Sequence, residues 1–264
     1  MPATRFFLVQ SVNTLQQIEL AATSRQAIAI RPGIDMPDWS QIVSPQAEAA
    51  LGAILEVFHF ADCFAGFSAE EDQIRRTLLT LYGELGRAPS SVEIALAAGF
   101  DQTRTEAALE SLRRRDLVLL DEETGAVIGA YPFTERQTGH RVKLRGVTLN
   151  AMCAVDALGA GAMFADDCEI DSSCRACGAA IRVTTAGNGA RLESVEPQSA
   201  MVWNGICYAG QAANSLCTVI SFFCSPKHLR QWLEGHEGAT GYRLTMAEAM
   251  EVGKAIFRPV LAAA

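Results

Sequence analysis

The 264-residue chain is 49% hydrophobic and 20% charged, the balance of a folding protein rather than of a disordered segment. Its net charge of -8 divides as -3 over residues 1–67 (3 basic, 6 acidic), -2 over 68–145 (11 and 13) and -3 over 146–264 (8 and 11), so no segment is basic enough to grip a phosphate backbone. The apolar run at residues 6–9 is too short for a signal-peptide core and no run reaches bilayer length, so the expectation is a cytoplasmic enzyme whose eight cysteines are thiols or metal ligands rather than disulfides.

Residues 1–43 give short apolar runs at 6–9 and 27–30 and a Pro-containing turn region at 31–39, with no motif. Ser44-Pro45 reads as an N-cap followed by proline at the first helical position, opening an apolar helix to about residue 60. Three capping boxes follow, Ser68/Glu71, Ser90/Glu93 and Thr103/Glu106, each announcing a short helix, with Gly99 closing the second. Strands at 117–120 and 126–130 flank a turn at 121–125. Three helices and a hairpin form a winged-helix-like region.

Beyond Arg141 the alternation of Val142 and Leu144 predicts a strand, and the Ala/Gly-rich segment 150–164 predicts a buried helix. Further strands are expected at 179–184, 191–195 and 218–223. Closing helices begin at Ser225-Pro226 and at Thr245, where Glu248 completes a fourth capping box. The fold class is therefore α+β: an N-terminal extension with one helix (1–67), a winged-helix-like domain (68–145), and a mixed α/β domain with a small sheet and flanking helices (146–264), divided near Arg145.

Several residues carry chemistry. Cys153 and Asp156 stand three apart in the segment read as helical, which puts them on one apolar face, where desolvation raises both pKa values and lets each hold its proton until a partner or metal arrives. The competing reading is a small core thiol beside a locally bonded carboxyl. Cys217 stands at the entrance of the strand expected at 218–223, where an inert buried thiol is again the alternative. Cys174-Arg175-Ala176-Cys177-Gly178 has the spacing of half a zinc knuckle or of a redox pair, so Cys174 and Cys177 are candidate metal ligands; Cys168 or Cys207 would have to complete the site, since no second CxxC exists. The histidines at 59, 140, 228 and 236 make no ligand-type spacing with one another, and His228 and His236 read as solvated. Arg113-Arg114-Arg115, among Glu106, Glu110 and Asp116, reads as a solvated helix end complementing the dipole.

Taken in order, the winged-helix-like region, Cys153-Ala154-Val155-Asp156-Ala157-Leu158, Cys174 before a strand-forming run, Val195-Glu196-Pro197, and Cys217 ahead of Phe222-Phe223 resemble the alkylmercury lyase family over roughly residues 68–257. The resemblance implies a catalytic trio of Cys153, Asp156 and Cys217, a structural role for Cys174, and a winged helix that packs against the catalytic part without reading DNA. Members differ in having an aromatic residue where this chain has Met152 and, in some, a second cysteine where it has Thr218; Cys177 is additional and residues before Ser44 have no counterpart. These differences are expected to alter the pocket walls.

The implied activity is protonolysis of a carbon–mercury bond. Two thiolates suit a soft cation, and Asp156 is the nearest proton carrier. No cofactor is required. Mercury(II) would remain on Cys153 and Cys217 as bound product and pass to a low-molecular-weight thiol or to mercuric reductase; neither nucleic acid nor membrane is an expected partner. Two other functions compete: a metal-responsive regulator using the winged helix, disfavoured by its acidic balance, and a relative that sequesters metal or exchanges disulfides through Cys174 and Cys177.

Overall fold

The computed structural model describes residues 25–263, which leaves the apolar run at 6–9 outside it. The segment expected to hold one helix contains an antiparallel hairpin, β1 (Ile28–Arg31) and β2 (Ile34–Met36), and two helices, α1 (Pro45–Val57) and α2 (Phe60–Phe64). As read from the sequence, Ser44 caps α1, its hydroxyl accepting from the Ala47 amide at 3.1 Å. The additional helix follows His59, which adopts a left-handed conformation (φ 50°) and turns the chain.

Helices α3 (Ala69–Leu85), α4 (Ser91–Ala98) and α5 (Gln102–Arg114) follow, then strands β3 (Val118–Leu120) and β4 (Val127–Ala130). The boxes Ser68/Glu71 and Ser90/Glu93 form in full, and both helices close on a left-handed glycine, Gly86 and Gly99. The third box does not form. Asp101 caps α5 two residues earlier than expected, its carboxylate accepting from the Arg104 amide at 2.9 Å, while Glu106 takes a hydrogen bond from the Gln102 side chain at 2.7 Å. Both Asp and Thr serve as caps, and an acceptor upstream fixes the register first.

The chain continues through β5 (Phe133–Thr134), β6 (Arg141–Leu144), β7 (Val147–Ala151), α6 (Ala154–Phe164), β8 (Glu169–Ser173), β9 (Ala180–Ala186), β10 (Arg191–Glu196), β11 (Met201–Gly205), β12 (Ile220–Phe223), α7 (Pro226–Glu234), β13 (Gly241–Thr245) and α8 (Met246–Leu261). Instead of one small sheet there are two larger antiparallel ones: eight strands in the order β10-β9-β8-β6-β7-β5-β4-β3, and three in the order β12-β11-β13. The division expected near Arg145 falls at the β6–β7 turn, where Arg145 and Gly146 take φ values of 51° and 83°, inside the larger sheet. The winged-helix hairpin and the β8–β10 meander are thus parts of one sheet.

At the centre lies α6, all eleven of its residues buried. Its glycines permit close approach to α8: a Cβ on Gly159 would lie 2.5 Å from the Phe257 ring and 2.6 Å from the Gly253 carbonyl oxygen. No helix among the described residues is long and apolar enough to cross a membrane.

Candidate active site

The segment expected as helix from residue 150 is strand as far as Ala151, and the helix begins only at Ala154. Cys153 is therefore the N-cap of α6, not a residue within it. Its sulfur accepts from the Asp156 amide at 3.4 Å. The two side chains meet because a cap reaches back over the first turn, where the partial positive charge of the helix N-terminus favours an anion. Cys217 lies in a short 3-10 turn, Cys217–Val219, just before β12 rather than directly at the strand entrance. Its thiol points at Asp156 Oδ2 across 3.7 Å.

The structure thus brings together three residues that the chain separates by up to 64 positions. Cys153, Asp156 and Cys217 each offer a ligand atom within 4.8 Å of the others, and the three are 2%, 5% and 8% exposed. They open onto a cavity of about 90 Å³ with apolar walls, including Ile54, Phe58, Phe60, Phe64, Leu216 and Ile220. Burial raises the Asp156 carboxyl to about 7, against smaller lowering contributions from the Cys153 and Cys217 thiols. Burial likewise drives Cys153 well above 9, assisted by Cys217 and Asp156. For Cys217 the hydrogen bond from Cys153 acts downward, but burial and the negative charge of Asp156 outweigh it and leave the thiol at about 11. Both thiols are accordingly protonated at neutral pH in the free protein, beside a carboxyl poised to gain or lose its proton there.

The alkylmercury lyase family model matches residues 133–258, a span that contains all three groups. Over that span the chain resembles the alkylmercury lyase family. It is 29% identical over 192 residues to the alkylmercury lyase of Staphylococcus epidermidis, covering 72% of this chain and 83% of that relative. It is 28% identical over 172 residues to the one from Bacillus cereus, covering 64% and 74%. The mercury-bound form of MerB2 shares the fold, with a TM-score of 0.65 at 23% identity over 78% of this chain and 98% of that one. The relatives it matches are enzymes, and the α+β architecture is the one expected.

Other site residues were not legible in the sequence. Met36 of the N-terminal hairpin and Arg75 of α3 line the cavity, so the segment without a motif closes the site. Arg75 is 3% exposed, with its Nε unpartnered among the described residues and its guanidinium 5.7 Å over the Phe64 ring; burial lowers it to about 10, which still leaves it cationic at neutral pH. Asp116, read as part of a solvated helix end, is buried. Its carboxylate accepts from the Ala212 amide at 2.7 Å, Tyr131 Oη at 3.1 Å and Tyr208 Oη at 3.3 Å, holding the loop that leads to Cys217. Arg115 is likewise drawn inward, pairing with Glu71 at 2.7 Å and donating to the Ala65 carbonyl at 2.8 Å, whereas Arg113 and Arg114 stay exposed beside Glu110 as expected. Met152 and Thr218 do not line this cavity: Met152 borders a separate small one with Leu119 and Ile128, and the Thr218 hydroxyl donates to the Ser215 carbonyl at 2.7 Å.

Cys174 and Cys177 stand apart from the trio, on the loop between β8 and β9. Neither expected completing ligand reaches them: Cys168 is buried against Thr185, whose hydroxyl donates to its sulfur at 3.6 Å, and Cys207 is exposed in the loop after β11. His228, expected to be solvated, has its Nδ1 3.0 Å from Cys224 Sγ.

Proposed function

We propose that the protein cleaves the carbon–mercury bond of organomercurials, releasing hydrocarbon and retaining mercury(II) on two cysteines. The observation that carries this reading is the convergence of Cys153, Cys217 and Asp156 in one buried apolar cavity. Thiolates are soft donors matched to a soft cation, and binding deprotonates them. One thiol of the pair first forms a sulfur–mercury bond to the alkylmercury cation as it displaces the incoming ligand, and its proton passes to Asp156 or leaves with that ligand. The second thiol then loses its proton and forms the second sulfur–mercury bond, so that of the two thiol protons one has left with the displaced ligand and the other stands on Asp156. Electron density moves onto the carbon, the carbon–mercury bond breaks with its electron pair on carbon, and Asp156 delivers the proton.

In balance, two thiol protons are lost: one ends on the hydrocarbon and one leaves with the displaced ligand. No oxidation state changes, so no redox cofactor is needed. A carboxyl with a pKa near 7 is matched to both taking and giving a proton at neutral pH. Arg75 keeps a fixed positive charge at the cavity wall, which favours the thiolate forms once the metal has arrived.

Product mercury(II) would be taken over by low-molecular-weight thiols, with mercuric reductase as a downstream recipient. A reducing, cytoplasmic setting suits a chain with eight free cysteines. The winged-helix-like part serves as a wall and support for the cavity, and its slightly acidic balance suits that role better than contact with nucleic acid.

The test is turnover of methylmercury or phenylmercury by reduced protein with excess small thiol, followed by headspace hydrocarbon analysis. Wild-type protein releases hydrocarbon, and Cys153→Ser or Cys217→Ser abolishes release. Asp156→Ala still binds the organomercurial but loses about 10²-fold or more in the protonation step. Hydrocarbon release that survives either cysteine substitution would contradict the two-thiol reading.

A further inference from the structure

The CxxCG element finds its missing half where the sequence shows none, at the far end of the smaller sheet. Cys174 and Cys177 lie on the loop joining β8 to β9, with Gly178 in a left-handed turn (φ 72°) and its amide donating to the Cys174 carbonyl at 2.8 Å. The Arg175 amide donates to the Phe222 carbonyl at 3.0 Å, which docks this loop on β12. Immediately after β12 comes Cys224, and His228 stands in the first turn of α7, whose cap Ser225 accepts from the His228 amide at 3.3 Å. One ligand atom from each of Cys174, Cys177, Cys224 and His228 lies within 4.8 Å of the others.

We propose that Cys174, Cys177, Cys224 and His228 form a structural zinc site. Tetrahedral zinc with Zn–S near 2.3 Å and Zn–N near 2.0–2.1 Å sets sulfurs about 3.8 Å apart and sulfur and nitrogen about 3.5 Å apart. The corresponding separations here are 3.8 Å between Cys177 Sγ and Cys224 Sγ, 3.8 Å between Cys174 Sγ and His228 Nδ1, and 3.0 Å between Cys224 Sγ and His228 Nδ1. Three thiolates and an imidazole fill a tetrahedron and leave no open position, the pattern of a structural rather than a catalytic site.

The site is separate from Cys153, Asp156 and Cys217. Zinc bound there would fasten the β8–β9 loop of the larger sheet to the end of β12, the strand entered through the short turn that holds Cys217. It would therefore hold the segment bearing one catalytic thiol against the sheet that leads into α6.

The test measures metal in the whole chain, purified reduced and without chelator from zinc-supplemented culture. Wild-type protein carries about one zinc per chain, and the Cys153→Ser/Cys217→Ser double variant carries the same amount. His228→Ala and Cys224→Ser lose most of it and melt at lower temperature. Replacing zinc by cobalt(II) in wild-type protein gives the thiolate-to-cobalt charge-transfer band and the visible ligand-field bands of a tetrahedral site with three sulfur ligands and one nitrogen, a readout that requires no variant to fold. Wild-type protein that holds no zinc and yields no tetrahedral cobalt spectrum overturns the proposal. So does zinc that disappears in the Cys153→Ser/Cys217→Ser variant, or recovery of Cys177 and Cys224 as a disulfide in protein that takes no metal.

Discussion

Asp156 shows how much of the proposed chemistry is set by burial at one residue. Its carboxyl ionises near 3.8 in an unfolded chain and near 7 in the fold. The folded state therefore keeps a proton that the unfolded state sheds, and the stability this group permits, complete below 3.8, is lost as pH rises through 7. Asp156→Asn, which never ionises, should be more thermally stable than wild type at pH 8, by up to about 4 kcal/mol. The difference should shrink as pH is lowered toward 4; melting curves of ligand-free protein across that range check it, and a gap independent of pH would contradict the burial argument. The types and spacing of Cys153 and Asp156 were legible in the sequence as a reacting pair. Their geometry was not, because the Ala/Gly-rich composition of 150–164 carries a helical pattern through residue 153, whereas strand β7 runs to Ala151 and leaves Cys153 as a cap.

At the scale of elements, helix α6 must be seated accurately, since its N-terminus carries two of the three groups. That seat is the crossing with α8, where Gly159 and Gly253 allow backbone to meet backbone. Gly159→Ala places a methyl group 2.6 Å from the Gly253 carbonyl oxygen, which is not a flexible side chain that can move away. It should cost about 1–3 kcal/mol in denaturant unfolding and reduce turnover as the helix shifts. The loop before Cys217 has its own anchor in Asp116. Asp116→Ala leaves the Ala212 amide and the Tyr131 hydroxyl without their acceptor, and should cost about 1–3 kcal/mol and weaken organomercurial binding relative to wild type. Capping boxes made the helices easy to place, because a cap is a local signal. The inward turn of Asp116 and Arg115 was hidden, because their partners Ala212 and Glu71 lie 96 and 44 residues away.

For the whole molecule, the N-terminal hairpin is the part that sequence reasoning left empty and the structure puts to use. Arg31 pairs with Asp72 at 2.6 Å, the two side chains being 8% and 7% exposed, and donates to the Pro259 and Ala262 carbonyls, tying the hairpin to α3 and the end of α8. Arg31→Ala strands a buried carboxylate and should destabilise the protein by about 3–5 kcal/mol. Because Met36 of the same hairpin lines the cavity, the variant should also lose activity at temperatures where it remains folded. The winged-helix-like region and the family resemblance were readable in chain order. The continuity of the eight-stranded sheet across residue 145 was not, since pairing of β5 with β7 and of β6 with β8 is a long-range choice that no local pattern announces.

The central claim is that two buried thiols and one carboxyl break a carbon–mercury bond together. A single-turnover experiment tests it most directly: reduced protein freed of small thiols is mixed with one equivalent of methylmercury, methane is quantified, and the sulfur neighbours of mercury are counted by X-ray absorption. The account predicts about one methane per chain and mercury bound by two sulfurs. Methylmercury retained with its carbon still attached, and no methane, would contradict it.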